Sequence, residues 1–367
     1  MLFIDAPFRY SWRHLIQYFT SNIVRKQTGL ELLTPTEKAV HFGLAFLEVL
    51  PVLGIAVALL DRLFFSKKRG IVTTYSKRDI TTAGFLLEKI VPIYCKIFGG
   101  DAKKQALAQE PYILPRYIEE MKNLARITGT HFEDVLAANT ILDRLTLFGG
   151  SIKAENSSAT KIATNYFHSQ GRDSSVADVY KSFWRFDKLS QAVVEGKKAL
   201  LQVCMQETIA SCIYDGTRQK LLWAFGSDNS ANRPYKSYNL KKLFKTNHNV
   251  LLLQNIDFPM GLLAPFTRLF VREPTSLYSF VSVGWLGIVG CYSGINEHGL
   301  AVAACSVPAN TSKTKKGTPV HLIIRQILEE AKTTEEAKVI IQKAIPASSM
   351  NLIIATEQTL IRIEFGR

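Results

Sequence analysis

Ser151 follows two glycines, Gly149 and Gly150. A serine freed at such a junction can attack a carbonyl with its own α-amine as base. The competing reading is a loop serine, and it weighs more because the sequence shows no base partner beside it. Cys291 and His298 make a cysteine–histidine pair on paper. Their place around the turn Asn296-Glu297-His298-Gly299 reads instead as a β-hairpin, with the cysteine as small core filler. Gly290-Cys291-Tyr292-Ser293-Gly294 is one place off the nucleophile-elbow pattern, so it does not argue for an α/β hydrolase. Cys204, Cys212 and Cys305 lie in apolar runs and read as core. The seven histidines show no paired spacing, so neither metal nor cofactor is expected. The five cysteines provide no CxxC zinc frame and no disulfide scaffold.

The chain of 367 residues is long enough for two ordinary domains. Its hydrophobic fraction of 47% against 21% charged residues excludes a disordered or fibrous protein. The net charge is +14, but the basic residues stand in short scattered groups such as Lys67-Lys68-Arg69 and Lys241-Lys242. Nucleic-acid binding would need them clustered among aromatics, so no nucleic-acid partner is expected. An anionic membrane surface, or plain solubility, accounts for the charge.

Any site must be held by strands and helices, and both are legible. Two helices run from Tyr112. Ile118, Met121, Leu124 and Ala125 share one face of the first, Gly129 ends it, and Thr130 with Glu133 forms a capping box for the second. Ile162 to Phe167 reads as extended and Val176 to Leu201 as mostly helical. Thr208 to Tyr214 and Lys220 to Phe225 flank Asp215-Gly216, a hairpin signal. Val250 to Gln254, Ser279 to Val289, and Leu300 to Cys305 are apolar strand runs. Thr318-Pro319 reads as N-cap and first position of a helix with an apolar stripe from Val320 to Leu328. Thr333 with Glu336 caps the next helix, and Asn351 to Ala355 with Leu360 to Phe365 closes as a strand pair. Two apolar β layers covered by helices imply α+β.

Residues 1–90 read as a separate helical extension without a signal peptide. Phe42 to Leu60 within it is nearly all apolar and long enough to span a membrane, although Glu48 and Pro51 interrupt it. The expectation is a candidate membrane-associated segment at 42–60, with a membrane-associated or cytoplasmic location.

Several motifs together resemble one family. Leu114-Pro115-Arg116-Tyr117-Ile118-Glu119-Glu120 through Asn139-Thr140-Ile141-Leu142-Asp143 is similar to the segment before the nucleophile in penicillin acyltransferase-like and acid-ceramidase-like N-terminal-nucleophile (Ntn) hydrolases, relatives of choloylglycine hydrolase. Gln254-Asn255-Ile256-Asp257-Phe258 resembles their Arg-Asn-Leu-Asp-Phe. Gly284-Trp285-Leu286-Gly287 and Ser293-Gly294-Ile295-Asn296-Glu297-His298-Gly299-Leu300 resemble their Gly-Trp-Pro-Gly and Ser-Gly-Met-Asn-Glu-Lys-Gly-Leu. The resemblance covers residues 112–367 and implies an αββα sandwich there. It also implies hydrolysis or acyl transfer at linear amide C–N bonds of a small amide or acyl substrate. In the family an N-terminal cysteine attacks with its own amine as base, an arginine and an aspartate orient it, and asparagines hold the oxyanion.

By the same resemblance Asp257 and Asn255 retain their places, and Asn351 is a candidate oxyanion donor or simply a strand-start asparagine. Gln254 stands where the motif has arginine, and Gly149-Gly150-Ser151 where it has Cys-Thr-Ser. The order of segments also differs. Thr164-Asn165-Tyr166-Phe167 resembles the family's late Thr-Asn-His-Phe, yet precedes Asp257, which implies a circular permutation. The permuted reading predicts Arg367 near Ser151 and Gly149 near residues 246–250. It also predicts Gln254 and Asn351 close to Asp257, beside an empty nucleophile position. The alternative to an active amidase or acyltransferase is a catalytically inactive Ntn-fold binding module.

Overall fold

The hydrophobic runs pair as strands because alternate residues find two different neighbours, one layer inward and one outward. The computed structural model describes residues 71–92, 102–145, 149–165, 181–191, 197–205, 208–226, 230–242, 248–258, 263–307 and 316–366. The candidate membrane-associated segment 42–60 and the terminal Arg367 lie outside them. Among the described residues the strands are β1 (Ile71–Val72), β2 (Gly149–Asn156), β3 (Thr160–Ala163), β4 (Thr208–Asp215), β5 (Lys220–Phe225), β6 (Lys236–Asn239), β7 (Val250–Asp257), β8 (Thr267–Arg272), β9 (Phe280–Trp285), β10 (Ser293–Asn296), β11 (Ala301–Ser306), β12 (Met350–Ala355) and β13 (Leu360–Phe365). The α-helices are α1 (Lys77–Phe85), α2 (Ala102–Leu107), α3 (Pro115–Thr128), α4 (Phe132–Leu145), α5 (Ser182–Gln191), α6 (Lys197–Gln202), α7 (Val320–Glu330) and α8 (Thr334–Lys343).

One sheet has the order β1-β8-β9-β10-β11-β12-β13 and the other β3-β2-β7-β4-β5-β6. Among the described strand pairs only β1–β8 is parallel. The sheets face each other through β11, β12 and β13 on one side and β2, β3 and β7 on the other. Period-two alternation is visible in side-chain contacts. Ser293 points inward and its Oγ meets Tyr214 Oη across the sandwich at 2.9 Å. A Cβ on the next residue, Gly294, would lie 2.6 Å from Leu328 of α7 on the outer side. In the second sheet Gln254 donates inward to the Ala304 carbonyl at 2.8 Å, while Asn255 donates outward to Leu200 of α6 at 3.0 Å. With α7 and α8 outside the first sheet and α5 and α6 against the second, this is the α+β sandwich expected from the resemblance.

Local signals mostly act as read. Gly129 takes φ 72°, which a glycine adopts without Cβ strain, and closes α3. The Asp215-Gly216 hairpin joins β4 to β5 in register. Two capping assignments change. Thr130 pairs with the Thr128 hydroxyl at 2.9 Å rather than boxing with Glu133. Pro319, not Thr318, stands at the N-cap of α7, because the Thr318 hydroxyl donates to the Tyr112 carbonyl of the lead-in. Residues 71–92, grouped by composition with the N-terminal extension, belong to the compact unit Lys68–Arg367. β1 extends its sheet, and α1 is capped by a reciprocal Ser76–Asp79 box before a π turn over Leu86–Ile90. Among the described residues no helix is long and apolar enough to cross a membrane.

Candidate active site

Asp257 is the last residue of β7, and the register decides what surrounds it. Gly149 lies opposite it on β2 and Thr208 opposite it on β4. The next outward-facing row holds Ser151, Asn255 and Ser211, and the one after it Lys153, Leu253 and Ile213. Helix α5 lies over this face and delivers Arg185 to Asp257. The pair is buried, with Nη1 to Oδ2 at 2.7 Å. The Thr208 hydroxyl donates to the other carboxylate oxygen at 2.5 Å and accepts from the Met205 amide at 2.8 Å. A charged pair removed from water needs such additional bonds to be tolerated.

Arg185 also joins Asp257 to the Thr164-Asn165 segment. Its Nη2 donates to Asn165 Oδ1 at 2.5 Å, and the Gly150 amide donates to the same oxygen at 3.0 Å. Asn165 Nδ2 then donates across the sandwich to the Ser306 carbonyl at 2.6 Å. The Thr164 carbonyl accepts from Asn351 Nδ2 at 2.7 Å and from the Cys305 thiol at 3.0 Å. Asp257 and Asn351 are therefore linked through residues 164 and 165.

Gln254 is not in this group. It points into the space between the sheets, on the opposite face of β7 from Asp257, because residues three apart on a strand face opposite ways. The expectation that Gln254 sits beside Asp257 fails for that reason. Gly149 is likewise paired with Asp257, at the far end of β7 from Val250, where the permuted order had put it. Asn255 faces the helices and is consumed there by Leu200 and by Ser211, whose hydroxyl donates to its Oδ1 at 2.7 Å.

Ser151 is fully buried near the start of β2, paired with Asn255 of β7 just before the β3 ladder begins at Ile152, and its hydroxyl has no hydrogen-bond partner among the described residues. Arg185 Nε, Ser182 Oγ, Ser306 Oγ and Gln254 Oε1 share that condition. A Cβ on Gly150 would meet the Asn255 carbonyl at 3.1 Å and Cys305 Cβ at 3.3 Å, so Cys305 fills the inward side of this strand. Burial pushes the Cys305 thiol up to about 12, with Arg185 opposing and Asp257 reinforcing the shift. At neutral pH it is a protonated donor and not a thiolate nucleophile. Cys291 is buried with its thiol also pushed up to about 12, while His298 packs edge-on against Tyr278. Among the described residues no group of three His, Cys, Asp or Glu could hold a metal ion.

Residues 243–366 match the family model of the acyl-coenzyme A:6-aminopenicillanic acid acyl-transferases. This part of the chain is similar to the penicillin acyltransferase-like Ntn hydrolases. No curated protein matches the chain. The acyltransferase-like segment contains Gln254, Asn255, Asp257 and Asn351. Ser151, Asn165, Arg185 and Thr208 come from outside it, yet the fold brings Asn165, Arg185 and Thr208 onto Asp257. Sequence reading missed Arg185. Its partners Asn165 and Asp257 lie 20 and 72 residues away in sequence, so no local signal marks it.

Proposed function

We propose that this domain recognises a small amide or acyl compound as an Ntn amidase or acyltransferase would, but lacks the covalent route and serves as a binding module. The observation that carries this reading is the register of β2. Glycine stands opposite Asp257, followed by a second glycine, at the positions where the resemblance would put a cysteine and a threonine. The supporting polar frame of Asp257, Arg185, Asn165, Thr208 and Asn351 persists around this side-chain-free stretch. Without a nucleophile, preset donors alone sustain at most ~10³-fold acceleration over water, by analogy with triads stripped of a member.

A second reading is favoured by one observation. Ser151 keeps a buried hydroxyl without a partner, as a reacting group awaiting substrate would. Its α-amine becomes a base only after cleavage of the Gly150–Ser151 bond, which here is paired with β7 on one side, while the β3 ladder begins at Ile152. Intact mass of the purified protein separates the readings. An uncleaved chain that binds but does not turn over long-chain or phenylacetyl amides supports the binding module. Cleavage at Gly150–Ser151, with turnover abolished in Ser151→Ala, would overturn it. Association with a membrane surface rests on residues 42–60, and fractionation with and without residues 1–70 tests it.

A further inference from the structure

The Gly-Trp-Leu-Gly turn between β9 and β10 has its backbone groups held by side chains from distant parts of the chain. Gly287 carries φ 90°, a left-handed conformation. Its amide donates to Tyr75 Oη at 3.3 Å, and its carbonyl accepts from Asn139 Nδ2 at 3.2 Å. The Val289 amide donates to Asn139 Oδ1 at 2.7 Å. The Val289 carbonyl accepts from Arg325 at 2.9 Å and from Arg272 at 3.3 Å. Asn139, fully buried in α4, thus bonds both sides of the turn as a surrogate backbone.

The two arginines are fixed in turn by the lead-in helix α3. Glu120 pairs with Arg325 at 2.6 Å and with Arg272 at 2.9 Å. Glu329 of α7 receives Arg325 at 2.7 Å, the Tyr117 hydroxyl at 2.7 Å and Arg116 at 3.3 Å. Arg116 also pairs with Glu330, and both Arg116 and Arg325 lie 4.8 Å from the Tyr117 ring centroid. Tyr117 and Glu329 are buried, so salt screens this network little.

We propose that residues 71–92 and 102–145 act as an intramolecular clamp that shapes the 286–290 turn, and that they hold the sandwich without the covalent link to β2. The turn leads directly into Cys291 and β10. The Tyr292 carbonyl there accepts from Ala304 of β11, the strand that carries Cys305. The clamp therefore acts on the end of the first sheet that carries Cys305 and Asn351, which face the Thr164-Asn165 segment of the candidate site. This inference stands whether or not the site turns over substrate.

The test uses the full chain with a protease recognition sequence inserted after Leu145. After cutting, gel filtration is run at 0.15 M and at 1 M NaCl, and hydrogen exchange of the Val289 amide is followed in uncut Asn139→Ala and wild type. The expected result is co-elution of both fragments at either salt. The Val289 amide should exchange at least tenfold faster in Asn139→Ala, with amides of β4 unchanged. Separation of the fragments while the C-terminal fragment keeps its circular dichroism would overturn the clamp. So would unchanged Val289 exchange in the substituted protein. If Asn139→Ala does not fold, Tyr75→Phe with Gly287 exchange replaces it, and the cut-chain experiment stands independently.

Discussion

Two buried charge networks organise this molecule, and they are built differently. In the clamp, Tyr117, Glu120, Arg272, Arg325 and Glu329 leave no buried polar side-chain atom without a partner among the described residues. Around Asp257, by contrast, Arg185 Nε and the hydroxyls of Ser151, Ser182 and Ser306 have none. A buried polar network that is fully satisfied rigidifies a fold, whereas unmet groups cost free energy with no structural return. On the function proposed above, the first network serves architecture and the second the recognition of a compound that supplies the missing bonds. The same division appears in backbone terms. The clamp bonds the Gly287 and Val289 backbone groups of a turn, while the Asp257 network surrounds a strand whose first two residues carry no side chain.

Arg185→Met breaks this contrast most severely. It strands Asp257, which is only 3% exposed, with Thr208 as its remaining donor among the bonds described above. Removing one partner of a buried pair costs about 3 to 5 kcal/mol. Urea unfolding should show that loss, and the double variant Arg185→Met/Asp257→Leu should recover much of it. No recovery would mean that Arg185 contributes by packing and not by charge.

The matching change in the clamp is Arg325→Met, with an expected loss of about 2 to 3 kcal/mol, smaller because Glu120 keeps Arg272 and partial solvent access. Its pH dependence follows from Glu120. Burial alone would raise that carboxyl, but Arg272 and Arg325 outweigh it and hold it below its ordinary value. The folded-state pKa is the depressed one, so the stabilisation is complete above the unfolded value near ~4.3 and is lost as pH falls through the folded value. The stability gap between wild type and Glu120→Gln should therefore be full at pH 6 to 7 and shrink below about pH 4. A gap that does not change with pH would remove Glu120's charge from the account.

Much of this architecture is legible in the residues, and the failures have physical causes. Hairpins and the αα pair are local, so Asp215-Gly216 and Gly129 declare them without knowledge of the rest. Strand order is not local, and nothing in β2 states that it will lie between β3 and β7. Grouping Gln254 with Asp257 came from a motif read as a line of letters. The period of two would have separated them, since residues three apart face opposite sides. Arg185 is harder. It follows Trp184, which is 44% exposed, in a helix where a buried arginine has no signature of its own. Only the partner carboxylate identifies it, and that carboxylate is 72 residues away in sequence. Thr318 shows the opposite error, a valid capping residue drawn off by the Tyr112 carbonyl of the lead-in.

The smallest expected effect gives the finest comparison, because it contrasts two serines in one row of the same sheet. Ser151 and Ser211 are both fully buried on the helix-facing side, and both lie opposite Asn255. Ser211 donates to Asn255 Oδ1 at 2.7 Å and meets Ser230 Oγ at 3.0 Å, so Ser211→Ala leaves an amide oxygen and a hydroxyl unmet. That should cost about 1 to 2 kcal/mol in urea unfolding. The Ser151 hydroxyl has no partner among the described residues, so Ser151→Ala discards a hydroxyl that lost its water on folding and gained no bond there. Its expected effect lies between about zero and 1 kcal/mol of stabilisation. Destabilisation by Ser151→Ala as large as that of Ser211→Ala would show that its hydroxyl is bonded in solution. The division between a satisfied architectural network and an unsatisfied recognition site would then lose one of its supports.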